Sequence, residues 1–249
     1  MKKRNQVTIG LIVAIIMLAC ACPVSGLPIP GTEEVPTTAP ILLPTESVVE
    51  PTAVPQQPSA NILLSDDFSV PSVEMETYAG DDGTAGTENG VYVVRSTQDL
   101  WQWGKSNSTF TDTVIDVVIA MAVGPANNNA GFGVICRLTE REDTSVDGYM
   151  LAISGDGYYT IRSITAGSMS PLVDWTYSDV INQGITVNNV RATCKGSDLS
   201  LEVNGQLVAT ATTIAGGSPS GSIAFSAISF ETAEPIAEGH FDNLVVTAP

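Results

Sequence analysis

Beyond residue 60 the apolar positions recur with a period of two. The run "TVIDVVIAM" places Ile115, Val117, Ile119 and Met121 on one face, and "DLSLEV" sets Leu199, Leu201 and Val203 against Ser200 and Glu202. In "GFGVICRL" the residues Phe132, Val134, Cys136 and Leu138 fall in phase, with Arg137 turned the other way. Successive side chains of a strand point to opposite faces, so this alternation predicts strands with one buried face. No stretch after residue 60 sustains an apolar period of 3.6, so helices should be few. The breaks between runs agree. "EVNGQLV" carries Asn204-Gly205 between two strand patterns, the pair best suited to the positive φ angles of a type I′ hairpin turn, and "AISGDGYYTI" repeats the idea with Gly155-Asp156-Gly157. Further breaks fall at "GPANNNAG", "TAGSMSP", "NQG" and "AGGSPSG". Short strands at this spacing predict an all-β fold, a two-sheet antiparallel β-sandwich or jelly roll, rather than a parallel α/β sheet.

The first sixty residues follow another logic. Lys2-Lys3-Arg4 precedes an uncharged run from Val7 to Ala19, the layout of an export signal, and one shorter than the roughly 20 residues that span a bilayer as a helix. Its end, "MLAC", resembles a bacterial lipobox. That resemblance implies cleavage before Cys20, which would carry diacylglycerol as the new N-terminus, with Cys22 as the fallback site; the alternative is an uncleaved signal anchor. Either way residues 1–22 form a signal and membrane-attachment region, and the rest of the chain is expected outside the cytoplasm, at the cell surface. Residues 23–59 hold nine of the 15 prolines and no aromatic residue. Such a segment buries too little apolar surface to offset its ordering entropy, so a disordered, extended Pro/Thr-rich stalk is expected, with a reach of up to ~110 Å at ~3.1 Å per residue.

Residues 60–249 are one domain's worth of chain. Of 10 Lys and Arg and 27 Asp and Glu in the whole sequence, three cations and four acids precede position 59, so most of the net charge of −17 belongs to this domain. Nucleic acid and anionic membrane surfaces are therefore disfavoured partners, since phosphate binding needs a basic surface. Acidity is compatible with calcium but does not define a site for it.

The segments "LLSDDF", "GFGVICRL", "YMLAISGDGYYTIRSI", "NNVRATCKGSDLSLEVNGQLVA" and "HFDNLVV" together resemble the concanavalin A-like, laminin-G-like jelly-roll domain of bacterial surface proteins. They are also similar to the domain family named for 3-keto-disaccharide hydrolases. The resemblance covers Leu63 to Val246 and implies a fold used for sugar binding, adhesion, hydrolysis and scaffolding alike.

Cys136 shares a phase with Phe132 and Val134, and Cys194 with Val190 and Ala192, so both should point inward. Outside the cytoplasm they would form a disulfide if their Cα atoms lie within about 7 Å; otherwise they are two buried thiols.

Catalytic constellations are scarce. His240, the one histidine, is expected at a strand start; a Ser-His-Asp or Cys-His catalyst would have to use it, and a zinc site with several imidazoles is excluded. A glycosidase needs two acids about 5 to 9.5 Å apart, yet "VEMET" offers only Glu74 and Glu76, and Glu140, Glu142, Asp143 and Asp147 fall in what reads as a loop. Carbohydrate binding needs only an aromatic platform and a few polar groups. "DLWQWGKSN" places Trp101 and Trp103 on one side of an extended backbone, and Trp175, Tyr177, Tyr158 and Tyr159 are further candidates; the competing role for such rings is core packing. Asp66, Asp67 and Asp242 lie on the two terminal segments, which run side by side in jelly rolls and could share a calcium ion. The expectation is a displayed binding or interaction module, with a glycan or surface protein as its partner and no nucleic acid. An exported glycoside-active hydrolase and a ligand-free structural envelope protein are the alternatives.

Overall fold

A computed structural model describes residues 61–213 and 218–249. The signal region, with Cys20 and Cys22, and the Pro-rich segment lie outside the described residues. Among the described residues fifteen strands follow one another: β1 (Ile62–Asp66), β2 (Tyr78–Ala79), β3 (Gly83–Glu88), β4 (Val91–Ser96), β5 (Gln102–Lys105), β6 (Thr113–Val123), β7 (Ala130–Glu140), β8 (Val146–Ser154), β9 (Tyr158–Thr165), β10 (Ser168–Tyr177), β11 (Val187–Lys195), β12 (Asp198–Val203), β13 (Gln206–Thr212), β14 (Ser222–Ser229) and β15 (Ala237–Thr247). No helix occurs among the described residues. The expected antiparallel two-sheet sandwich is the observed fold. One sheet runs β13-β12-β11-β6-β15-β4-β3-β2, with β1 added alongside β15, and the other runs β10-β9-β8-β7-β14-β5.

The alternating runs form the facing inner surfaces. Ile115, Val117, Ile119 and Met121 of β6 and Leu199, Leu201 and Val203 of β12 meet Phe132 and Val134 of β7, Leu151 of β8 and Phe225 of β14, all buried in one core. Phe225 from one sheet stacks on Phe241 from the other at 4.5 Å between ring centroids. Cys136 and Cys194 are joined, Cα to Cα 6.7 Å, tying β7 of the smaller sheet to β11 of the larger. The Asn204-Gly205 turn has φ of 51° and 80°, as its sequence requires, and Asn89-Gly90 and Ala166-Gly167 make the same turn between β3 and β4 and between β9 and β10. The terminal segments do run side by side: β1 pairs with β15 from Ile62↔Thr247 to Asp66↔Leu244.

The phase of "GFGVICRL" breaks at a bulge. Cys136 pairs with Tyr149 and Thr139 with Asp147, so Arg137 and Leu138 together oppose Gly148. Arg137 has φ 54° and stays on the inner side with Cys136, where its guanidinium donates to Thr111 O, Gly196 O and Asp112 Oδ1, each at 2.8 Å. Leu138 is thereby thrown to the outer face, against Ile135, Val146 and Met150. The expectation that Leu138 shares a face with Cys136, and that Arg137 turns outward, is overturned by that one extra residue.

Candidate functional site: an aromatic groove

The register of the smaller sheet builds a trough on its outer face. Trp103 lies opposite Ser226, Ser226 opposite Gly133, Gly133 opposite Ala152, and Ala152 opposite Thr160, a row of small residues that crosses five strands from the β5 edge. At the other edge β10 is bulged: Val173 pairs with Ile161 and Thr176 with Tyr159, leaving Asp174 and Trp175 together opposite Thr160. Two consecutive residues therefore project from the same face. Large rings rise from both edge strands over a floor too small to fill the space between them.

Phe230, just past β14, closes the arrangement. It meets Trp101 edge-on at 5.9 Å and Trp175 edge-on at 5.6 Å, which links the two edges through three rings. Beneath them Ile135, Leu138, Val146, Met150, Ala152, Ile164 and Ala224 are buried although they face away from the main core, because Trp101, Trp103, Trp175 and Met169 roof them. The tryptophans are half-buried: one side covers this secondary cluster and the other faces the groove. The two roles that the sequence leaves open, platform and packing, are filled by the same rings.

The groove encloses about 590 Å³ and is lined by Trp101, Trp103, Trp175, Phe230, Leu100 and Met169, together with Gln102, Arg162 and Asp174. This is an ordinary size and composition for a small-ligand site. Asp174 accepts the N–H of Trp175 at 3.2 Å. A second hollow of about 330 Å³ adjoins it, sharing Trp175 and Phe230 and adding Asn129, Ser154, Asp156 and Tyr158. There Ser154 Oγ donates to Asp156 and accepts the N–H of Tyr158 at 3.0 Å. Asn129 and Asn127 donate to Glu231 at 2.8 and 2.7 Å, and these two hydrogen bonds hold the Glu231 carboxyl below its ordinary value.

The other candidates are placed elsewhere. Tyr177 packs edge-on to Tyr158 at 5.6 Å and accepts a hydrogen bond from Gln183, outside the groove lining, while Tyr159 turns toward the main core. Asp66 accepts from Phe68 N and Ser72 Oγ, and Asp67 from Ser69, so both carboxylates are engaged in local turns; the described residues contain no metal-ready cluster of three acidic, histidine or cysteine side chains. His240 sits inside β15, paired with Val93 and Ala120, rather than at a strand start. Its Nε2 lies 2.7 Å from Glu238, which also accepts from Arg95 at 2.7 Å. Burial works against ionisation of Glu238, but the hydrogen bonds from His240 and Arg95 outweigh it and hold the carboxyl below its usual value. Glu76 accepts the Lys105 N–H, Glu74 accepts from Ser108, Glu140 pairs with Lys105, and Asp147 with Arg141, so these acids serve the scaffold. A hollow of about 380 Å³ on the larger sheet is lined by strand side chains around the Arg191–Asp116 pair and has no aromatic wall.

Sequence reasoning did not single out Phe230, Arg162, Asp174, Asn129 or Asp156. The doubled tyrosine and "GDG" turn marked the second hollow's position but not its partners.

No protein-family model matches the sequence, and no curated protein is similar to it at a significant level. Solved structures do match. A Bacillus licheniformis beta-glucanase is 14% identical, covering 77% of this chain and 99% of its own, with a TM-score of 0.54. A Bacillus subtilis protein of unknown function with a galectin-like fold is 9% identical, covering 75% and 96%, with a TM-score of 0.55. The carbohydrate-binding module CBM66 of Bacillus subtilis is 13% identical over 70% and 96%, with a TM-score of 0.48. At these identities the likeness to the glucanase and the galectin-like protein establishes a jelly-roll β-sandwich and nothing about chemistry.

Proposed function

We propose that this protein is an exported, lipid-anchored surface module whose aromatic groove binds a glycan. The observation that carries the reading is the convergence of all three tryptophans of the chain, from opposite edges of one sheet, on a groove that also presents Arg162 and Asp174. Sugar rings offer an apolar face to an aromatic ring and hydroxyls to flanking polar groups, and this lining supplies both. Binding is better supported than hydrolysis. The floor side chains from the central strands β7, β8 and β14 include Ile135, Met150, Ala152, Ala224 and Ser226 but no carboxylate, and the acids that line the two hollows, Asp174 and Asp156, line different ones. A glycosidase needs its two acids on either side of one bond.

Export and anchoring rest on the sequence: the Lys2-Lys3-Arg4 start, the apolar run to Ala19 and "MLAC" support cleavage before Cys20 and lipidation there. Mass spectrometry of the native N-terminus tests it, and a retained Met1–Ala19 segment or an unlipidated mature protein refutes it. The groove is tested by screening glycans against the full chain in detergent and repeating any hit with Trp175→Ala. That change should weaken binding by ~1–3 kcal/mol while the domain stays folded. Unaltered affinity would exclude the groove, and release of reducing sugar from a hit would replace binding by hydrolysis.

A further inference from the structure

Residues 59–249 hold seven cationic side chains, and five are committed: Arg95 to Glu238, Lys105 to Glu140, Arg137 to Asp112, Arg141 to Asp147 and Arg191 to Asp116. Of the two that remain, Lys195 is exposed at the end of β11, where water solvates it, and Arg162 is different. It stands on β9 opposite Met150 of β8, half-buried in the groove wall, and its guanidinium makes no hydrogen bond or ion pair among the described residues, although the chain carries 27 acids against 10 bases. Asp174 lines the same groove yet is not in ion-pair contact with it. Removing a guanidinium partly from water without a partner is unfavourable, and in so acidic a chain a partner would be easy to supply. A site that leaves the guanidinium open suits an anion brought by the ligand, and the planar fork of arginine matches a carboxylate through two parallel hydrogen bonds.

Resting on the reading of the groove as a glycan site, we propose that its ligand is an oligosaccharide carrying an isolated acidic sugar, a uronic-acid unit whose carboxylate takes Arg162 while its ring lies against the tryptophans. Two features limit the acidity. The adjoining hollow offers Asn129, Ser154, Asp156 and Tyr158 and no cation, so the neighbouring unit is neutral and is held through its hydroxyls. The chain's net charge of −17 repels a densely charged polyanion. Asp174 works in the same direction: it accepts a sugar hydroxyl and disfavours a second acid beside the first. The specificity is therefore for an acidic unit next to a neutral one, in place of a continuous polyuronate.

The probes are an aldobiouronic acid, glucuronic acid linked to xylose, and the same disaccharide after reduction of its carboxyl group, titrated calorimetrically into the full chain in detergent. Wild type should bind the acid at least ~10-fold more tightly than the reduced form, as expected for a charge-assisted bidentate contact. Arg162→Gln should erase that ratio, leaving affinity for the reduced form within ~2-fold, and Arg162→Lys should retain only part of it. A thermal melt checks the fold, which Arg162, having no internal partner, should leave unchanged. Equal binding of the two sugars by wild type, or a preference that survives Arg162→Gln, overturns the acidic-sugar assignment. If Trp175→Ala still abolishes binding in that case, the groove reading stands alone; if it does not, the groove reading falls as well. Failure of both disaccharides to bind wild type overturns the acidic assignment, and the neutral-glycan screen then decides the groove.

Discussion

Gly131 and Gly133 lie two residues apart on β7 and face the same floor, yet replacing each by alanine should have opposite consequences. A Cβ built at Gly133 would come 2.7 Å from the Ala152 Cβ and 2.8 Å from the Leu151 carbonyl oxygen. Both belong to the adjacent strand and cannot move without spreading the sheet. Overpacking of this kind costs about 1–3 kcal/mol, which for a domain of this size lowers Tm by roughly 3–10 °C. A Cβ at Gly131 would instead meet Trp101 Cη2 at 2.9 Å and the Phe230 ring at 3.1 Å. These are the free ends of side chains that can tilt into the groove. Stability should change by less than ~1 kcal/mol, partly because alanine also restricts the unfolded chain. The tilt would displace the Trp101–Phe230 pair, and ligand affinity should drop by ~5–30-fold. Thermal melts of both variants, paired with titration of a glycan hit, separate the effects. A Gly131→Ala protein that loses stability like Gly133→Ala, or binds like wild type, would refute the idea that the aromatic pair rests on this glycine as a movable wall.

Replacing Cys136 and Cys194 together by alanine should lower stability by ~4 kcal/mol in the chain-entropy estimate for a sequence separation of 58; denaturant titration measures it, non-reducing peptide mapping should find the pair linked in wild type, and a loss below ~1 kcal/mol would contradict the bridge's role. Glu238 supplies the pH prediction. Its folded carboxyl is held below the ordinary 4.5, so its stabilisation is present above that value and is lost as pH falls through the lowered one. The stability difference between wild type and Glu238→Gln should therefore shrink as pH falls below about 5; a difference that grows over that acid range would reverse the sign.

The sandwich was legible because its evidence is local. Strand alternation, the Asn204-Gly205 turn and the inward phase of the two cysteines are each written within about ten residues, and the structure keeps all three. The groove was legible only in its parts. Trp101 and Trp103 share a side because an extended backbone requires it, but their meeting with Trp175 depends on pairing of β5 with β14 and of β14 with β7, contacts between residues roughly a hundred apart. Two bulges add faces that alternation cannot forecast: one turns Leu138 outward on β7, and the other presents Asp174 and Trp175 together on β10. Phe230 carried no signal of its own, as a single aromatic residue after a strand. Arg162 reads as an ordinary strand cation until the five pairings leave it, unlike the exposed Lys195, half-buried in the groove without a partner.

The central claim, that a saccharide occupies this groove, has a built-in reporter. The chain contains three tryptophans and all of them line the groove, so intrinsic tryptophan emission reports on this groove and on the adjoining hollow that shares Trp175 with it. The decisive measurement is that emission during titration of a glycan shown independently, by calorimetry, to bind the protein. A saturable shift to shorter wavelength, following the calorimetric isotherm and weakened in Trp175→Ala, is predicted as sugar displaces water from the indole faces. Saturable calorimetric binding with unchanged tryptophan emission would place the ligand elsewhere and contradict the account.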